Sequence, residues 1–254
     1  MDLVSIIVPT KNRNNYLNNA VKSVLQQTYT NWELFIINDY GKEIKLKYTD
    51  SRIKIKRNQN IKGGNGARNT GITFSKGKYI AFLDDDDEWK KEKLTKQIEI
   101  MNTSKAVLCY TGKNILYEGI KSNSHKYSFK KQFFSPSFTL NFHNYIGTTS
   151  SIVVKTKILK DSENKFDESI HILQDYDFYL QLCKFGKFIG VKDDLVIYHY
   201  NVNRSHVSLN FNELYNSMKK ILIKQKGLKK LFILPGLLFI CFQKLYNYQK
   251  YLIK

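Results

Sequence analysis

Cysteine is scarce. The 254 residues hold three, Cys109, Cys183 and Cys241, an odd number with no CxxC spacing. That argues against a disulfide framework or a zinc site and fits a reducing compartment. Met1-Asp2-Leu3-Val4 lacks the basic start and the apolar core of about 7–15 residues that mark a secretory signal, which predicts a cytosolic protein. Leu231 to Phe242 is an apolar run of 12 residues, broken by Pro235-Gly236 and short of the ~20 needed to span a bilayer. No internal repeat is evident, and no segment has the spacing of a P-loop or a GxGxxG fingerprint. Acids are in the minority: 22 Asp and Glu against 41 Lys and Arg give a formal charge of +19. Nucleic acid, anionic lipid and phosphorylated ligands all suit such a charge. Lysine is spread along the chain except at the end. After Glu213 no acid occurs, and nine lysines fall between Lys219 and Lys254.

What is present is enough apolar and aromatic side chain for a core. The length suits one α/β domain with an appendage. Residues 4–8, 32–37, 53–56, 79–83 and 106–110 read as strands, the first a buried parallel one ending at Pro9. Between them, helical spacing of apolar residues marks 15–27, 66–75 and a helix beginning near Trp89 that carries Leu94, Ile98 and Met101. Alternating strands and helices predict βαβ units and a mainly parallel sheet. Residues 111–148 are irregular. Strand character resumes at 150–154, and Tyr176, Tyr179, Leu180 and Cys183 repeat at helical spacing. Short strands follow at 188–191 and 195–200, then a helix at 212–226.

In an open α/β sheet, ligands bind beyond the carboxyl ends of strands. Pro9-Thr10 follows the first strand, Asp39 the second, and Asp84-Asp85-Asp86-Asp87-Glu88 the fourth. Adjacent acids repel one another unless a cation offsets them, and carboxylates there suit a hard divalent cation completed by diphosphate oxygens. The competing explanation is the acid-rich first turn of a helix. The glycines of 60–71 permit a tight backbone close to a ligand, with Arg68 placed for phosphate or for a structural salt bridge.

In order along residues 3–208, these segments resemble the family 2 glycosyltransferases, which have the GT-A fold. Val-Ser-Ile-Ile-Val-Pro-Thr-Lys-Asn-Arg (4–13) is similar to the family's opening strand and turn, and Asn38-Asp39 to its second-strand acid. Gly66-Ala67-Arg68-Asn69-Thr70-Gly71 and Phe82 to Trp89 are similar to its Arg-Asn and Asp-x-Asp segments. Phe166-Asp167-Glu168 and Gln174-Asp175-Tyr176-Asp177 are similar to its Phe-Asp-Glu and Glu-Asp-x-Asp segments. The resemblance implies sugar transfer from a nucleotide diphosphate donor, a UDP-sugar, to a hydroxyl of a glycan or lipid-linked glycan acceptor, in surface polysaccharide or lipooligosaccharide synthesis. It implies that Pro9, Thr10, Arg13, Asp39, Arg68, Asp84 and Asp85 serve the nucleotide, that Asp86 holds Mn²⁺ or Mg²⁺, and that Asp175 is the base of an inverting displacement. Asp39 and Asp175 also suit a cap. Two departures stand out: Gln174 where the family often has Glu, and Tyr200-Asn201-Val202-Asn203 where it often has Tyr-Arg-x-His. His199, His206 and Arg204 lie nearby as substitutes.

The expectation is a GT-A-type α/β domain over residues 1–210, with a mainly parallel sheet flanked by helices, and a basic amphipathic helical tail over 211–254. Lysines and tyrosines around the apolar run suit an anionic membrane surface on the inner face of the cell membrane. Three rivals remain. A sugar-nucleotide nucleotidyltransferase would need a Gly-rich phosphate loop after the first strand, and none is found. Acids clustered at strand ends argue against nucleic acid as the partner. A catalytically silent relative is the third.

Overall fold

The structure, a computed structural model, describes residues 1–118, 125–127, 136–142, 144–160, 164–201, 210–227, 230 and 232–238. Its centre is β1 (Val4–Thr10), buried at every position, as a strand covered on both faces must be. β2 (Trp32–Asn38) and β4 (Tyr79–Phe82) flank it in parallel, placing Ile7 opposite both Phe35 and Phe82. β3 (Ile53–Arg57) forms the edge beyond β2; it is mostly exposed and carries Lys54 and Lys56, which discourage pairing with another chain. The two faces are read alternately, as a period of two requires. Ile7, Phe35, Ile37 and Phe82 pack on one side with Ala67 and Ile72 of α2 (Gly64–Phe74). Val4, Ile6, Val8 and Leu34 pack on the other with Leu17, Ala20, Val21 and Val24 of α1 (Asn14–Leu25).

Beyond β4 the sheet becomes mixed. The remaining strands are β5 (Asp87–Trp89), β6 (Leu108–Glu118), β8 (Val153–Lys155) and β9 (Phe188–Asn201), with β7 (His125–Tyr127) paired to β6. The order is β3-β2-β1-β4-β8-β6-β9-β5. β8 is antiparallel to β4 and β6, β6 and β9 are parallel, and β5 is antiparallel to β9. The sheet is therefore parallel from β3 to β4, as expected, and mixed after it.

Three local expectations change. The helix expected near Trp89 begins four residues later, as α3 (Lys93–Thr103), because Asp87 to Trp89 pair with β9 instead. The two short strands expected at 188–191 and 195–200 are one long strand, with a register irregularity opposite Thr111–Gly112. Residues 149–151 form a 3-10 turn before β8. The irregular stretch contains the end of β6, β7 and α4 (Pro136–Phe142).

α5 (Thr156–Lys160), α6 (Gln174–Leu182) and α7 (Phe211–Lys224) complete the described elements. α7 starts where the Asn210 side chain accepts the Glu213 N–H, an N-cap. Its Leu214, Met218 and Ile221 join the main core with Ile233 and Leu237. Among the described residues no helix is long and apolar enough to cross a membrane. Asn203, Arg204 and His206 lie outside the described residues, as do positions 231 and 239–242 of the apolar run.

Candidate active site

Pro9 has no N–H to donate. On β1 odd-numbered residues turn their amides toward β4, whose pairing ends opposite Ile7. The proline therefore costs no ladder bond and sits where the sheet opens. At the same edge Asp39 N–H donates to Thr10 O at 2.8 Å, closing the ends of β1 and β2 together. Asp39 is buried, and its Oδ1 accepts the Asn58 amide at 2.8 Å and the Gly63 N–H at 2.9 Å. It thus anchors the start of α2, where Gly63 adopts φ +138.

Two of the glycines of this segment serve packing. A Cβ on Gly66 would stand 1.9 Å from the Ile61 carbonyl oxygen, and one on Gly71 would stand 2.4 Å from Ile7. This close approach, expected toward a ligand, is toward the chain's own loop and β1. It brings Arg68 of α2 to the acidic turn, where Nη2 meets Asp84 Oδ1 at 2.5 Å.

The acidic turn alternates. Asp85 and Asp87 are buried, 4 % and 1 % exposed, while the side chains of Asp84 and Asp86 are each 26 % exposed. Asp85 accepts Thr10 Oγ1 at 2.6 Å, and Arg13 Nη1 bridges Asp85 at 2.9 Å and Asp86 at 3.0 Å. Burial pushes the Asp85 carboxyl above its ordinary range, against the pull of Thr10 and Arg13. Asp87 is pushed well above by burial and by the charges of Asp84 and Asp86. Ser150 Oγ donates to Asp87 at 2.5 Å and accepts the Asp84 N–H at 3.0 Å, so one hydroxyl fixes both ends of the turn. Glu88 pairs with His199 at 3.0 Å, which holds its carboxyl below the usual range.

A divalent cation fits this turn by the chemistry of its donors. Asp84 and Asp86 present hard carboxylate oxygens at its partly exposed side, while Asp85 and Asp87 are turned inward. Among the described residues no three His, Cys, Asp or Glu side chains form a metal cage by themselves. Oxygens of a bound ligand would have to complete the shell.

Asp175 is the second residue of α6. The cap position is Leu173, in the left-handed region at φ 65, so Asp175 is not the N-cap. Its Oδ1 accepts the Tyr176 N–H at 2.8 Å and its Oδ2 lies 3.4 Å from Asn144 Nδ2. Its neighbour Tyr176 anchors α6 to α4 through a hydrogen bond from the phenol to Leu140 O. Asn144 beside Asp175, Thr149 with its hydroxyl 3.4 Å from Asp84, and Ser150 are residues of this edge that sequence reasoning missed. The small polar run Thr148-Thr149-Ser150-Ser151 before β8 was the available signal.

The fold and this edge define a GT-A glycosyltransferase. The chain superposes on S. aureus TarS 1–349 in complex with UDP-GlcNAc with a TM-score of 0.71 at 18 % identity, over 93 % of this chain and 71 % of that one. Glycosyl transferase family 2 matches residues 5–162, and the chain belongs to that family. Two Escherichia coli relatives, WfgD and WfaP, are each named UDP-Glc:alpha-D-GlcNAc-diphosphoundecaprenol beta-1,3-glucosyltransferase. WfgD is 33 % identical over 218 residues, covering 84 % of this chain and 82 % of the relative. WfaP is 33 % identical over 236 residues, covering 88 % of each.

Proposed function

We propose that this chain transfers a hexose or N-acetylhexosamine from a UDP-sugar to a hydroxyl of a glycan carried on a lipid diphosphate, with inversion, in surface-glycan synthesis. The observation that carries the reading is the alternation of the acidic turn, which leaves Asp84 and Asp86 partly exposed at the sheet edge where Pro9, Thr10, Arg13 and Asp39 converge. The relatives' names support both the donor class and the acceptor class.

Asp39 lies at the position for the base, with Thr10 and Arg13 beside it. Arg68 and Asp84 lie toward the ribose and diphosphate, and Asp85 braces Arg13. Asp86, with Asp84, would hold Mn²⁺ or Mg²⁺, which would offset charge on the departing diphosphate. Asp175 takes the proton of the acceptor hydroxyl as its oxygen bonds to the anomeric carbon. The bond from that carbon to the diphosphate oxygen breaks, and UDP leaves with the electron pair. One displacement inverts the centre.

On this reading the protein works at the inner face of the cell membrane, where a lipid-linked acceptor would be met. Tyr215, Ile223, Leu234 and Leu238 are exposed beside Lys219 and Lys230, around an apolar groove of about 540 Å³. Apolar and basic groups side by side suit an anionic bilayer surface. Deleting residues 227–254 abolishes sedimentation with anionic vesicles on this reading; unchanged sedimentation removes it.

The direct test of function is transfer from a panel of nucleotide sugars to a GlcNAc-diphospho-prenyl acceptor. The expected result is turnover of a UDP-sugar with inverted configuration in the product. Turnover of no nucleotide sugar by folded protein on vesicles, or a retained configuration, contradicts it.

A further inference from the structure

Lys113 belongs to none of the motifs of the nucleotide side. β6 carries it just past the register irregularity at Thr111–Gly112, and its side chain is half-buried. Nζ stands 4.6 Å from the centroid of the Tyr198 ring on β9. A Cβ on Gly147 would lie 3.7 Å from the same nitrogen. Gly147, at φ +82, is held from two directions: its N–H donates to Asn144 Oδ1 at 3.1 Å, and its carbonyl accepts the Tyr179 hydroxyl at 3.2 Å. The other end of the Asn144 amide reaches Asp175 at 3.4 Å. The turn 144–147 therefore links the surroundings of Lys113 to those of Asp175.

The charges agree with the geometry. Burial draws the Lys113 ammonium below the usual lysine range, and the carboxylates of Asp87 and Asp175 act against that. A partly desolvated ammonium is costly unless fixed negative charge faces it, and a lysine stem held in one place loses most of its rotamer freedom.

We infer that Lys113 is a positioning residue for Asp175: its ammonium, set against the Asn144–Gly147 turn, holds the carboxylate aimed at the arriving acceptor hydroxyl. The inference rests on Asp175 being the base. A small misplacement of a reacting group costs about 100-fold in rate, so the effect belongs in kcat rather than in nucleotide binding.

The test compares Lys113→Gln, Lys113→Arg and Asp175→Asn in the full chain, measuring kcat, donor KM and UDP affinity by calorimetry. Lys113→Gln is expected to lower kcat about 100-fold while UDP affinity and donor KM stay near wild type. Lys113→Arg is expected to recover at least about tenfold of that loss, since it restores the cation. Wild-type kcat in Lys113→Gln overturns the inference. So does a matching loss of UDP affinity, which would make Lys113 a diphosphate ligand. An Arg variant that folds and is no better than Gln overturns it as well, including where the Gln variant does not fold. Asp175→Asn separates the two readings: if it still transfers, the assignment of the base fails. If it is inactive while Lys113→Gln is active, only the positioning role fails.

Discussion

The two halves of the sheet build their parts of the site differently. On the side proposed for the nucleotide, β1, β2 and β4 are parallel and buried, and each delivers its polar group in the residues directly after its apolar run: Thr10, Asp39 and Asp84. On the side proposed for the acceptor, and in the braces behind the acidic turn, the contacts join residues far apart in the chain. Ser150 braces Asp87 across 63 residues, Glu88 meets His199 across 111, and Asn144 reaches Asp175 across 31. A site built at strand ends is written locally; a site built by antiparallel and mixed pairing is completed only by the fold.

The largest expected effect falls on the acceptor side. Asp175→Asn should reduce transfer about 1000-fold, roughly 4 kcal/mol on the barrier, with UDP affinity unchanged in calorimetry. Loss of UDP affinity as well would erase the division between the halves. On the nucleotide side, Gly66→Ala forces a Cβ into the Ile61 carbonyl and should cost about 3 kcal/mol in urea unfolding. A neutral outcome would mean that the loop before α2 yields freely.

A third change tests how α7 is joined to the acceptor half. Lys224 Nζ reaches Asp167 at 2.6 Å and Asp177 at 2.8 Å, and the Asp177 side chain is 1 % exposed. Lys224→Met leaves that buried carboxylate without its cation and should cost about 2 kcal/mol. Against the upward pull of burial, Lys224 and Ser169 hold the Asp167 carboxyl down to about 2. Its folded pKa lies below its unfolded one, so this stability is complete above about pH 4 and is lost as pH falls toward 2.

The smallest effect lies at the seam. Lys93 is fully buried on α3, with Nζ 4.0 Å from the Trp89 ring centroid and 2.6 Å from Gln97 Oε1, while Gln97 donates to Ser151 O at 2.9 Å. Burial pulls its ammonium down to about 7. The folded value lies below the unfolded one, so folding is penalised fully below about pH 7 and not at all above about 10.4. Lys93→Met should therefore raise stability by about 1 kcal/mol at pH 6, with a gain that vanishes near pH 10.5. A gain independent of pH would assign it to packing instead.

This contrast explains what the sequence revealed. β1, β2 and β4 were legible because each apolar run ended in Pro, Asn-Asp or a run of acids. The acidic turn was legible as acids but not as β5, because Asp87 to Trp89 take their conformation from β9, more than 100 residues away. Lys113 was invisible because β6 continues into a stretch where its partners, not its own alternation, keep it extended. Gly66 and Gly71, on either side of Arg68, pack against Ile61 and Ile7, and no local signal tells such an approach from one to a ligand.

The most direct measurement is a calorimetric titration of UDP into the wild type, Asp86→Ala and Asp175→Asn, with Mn²⁺ or with EDTA. The predicted result is UDP affinity at least about tenfold weaker in EDTA, about 1.4 kcal/mol, weakened to the same level by Asp86→Ala and unchanged by Asp175→Asn. Affinity indifferent to the cation and to Asp86, or no binding of UDP at all, would contradict it.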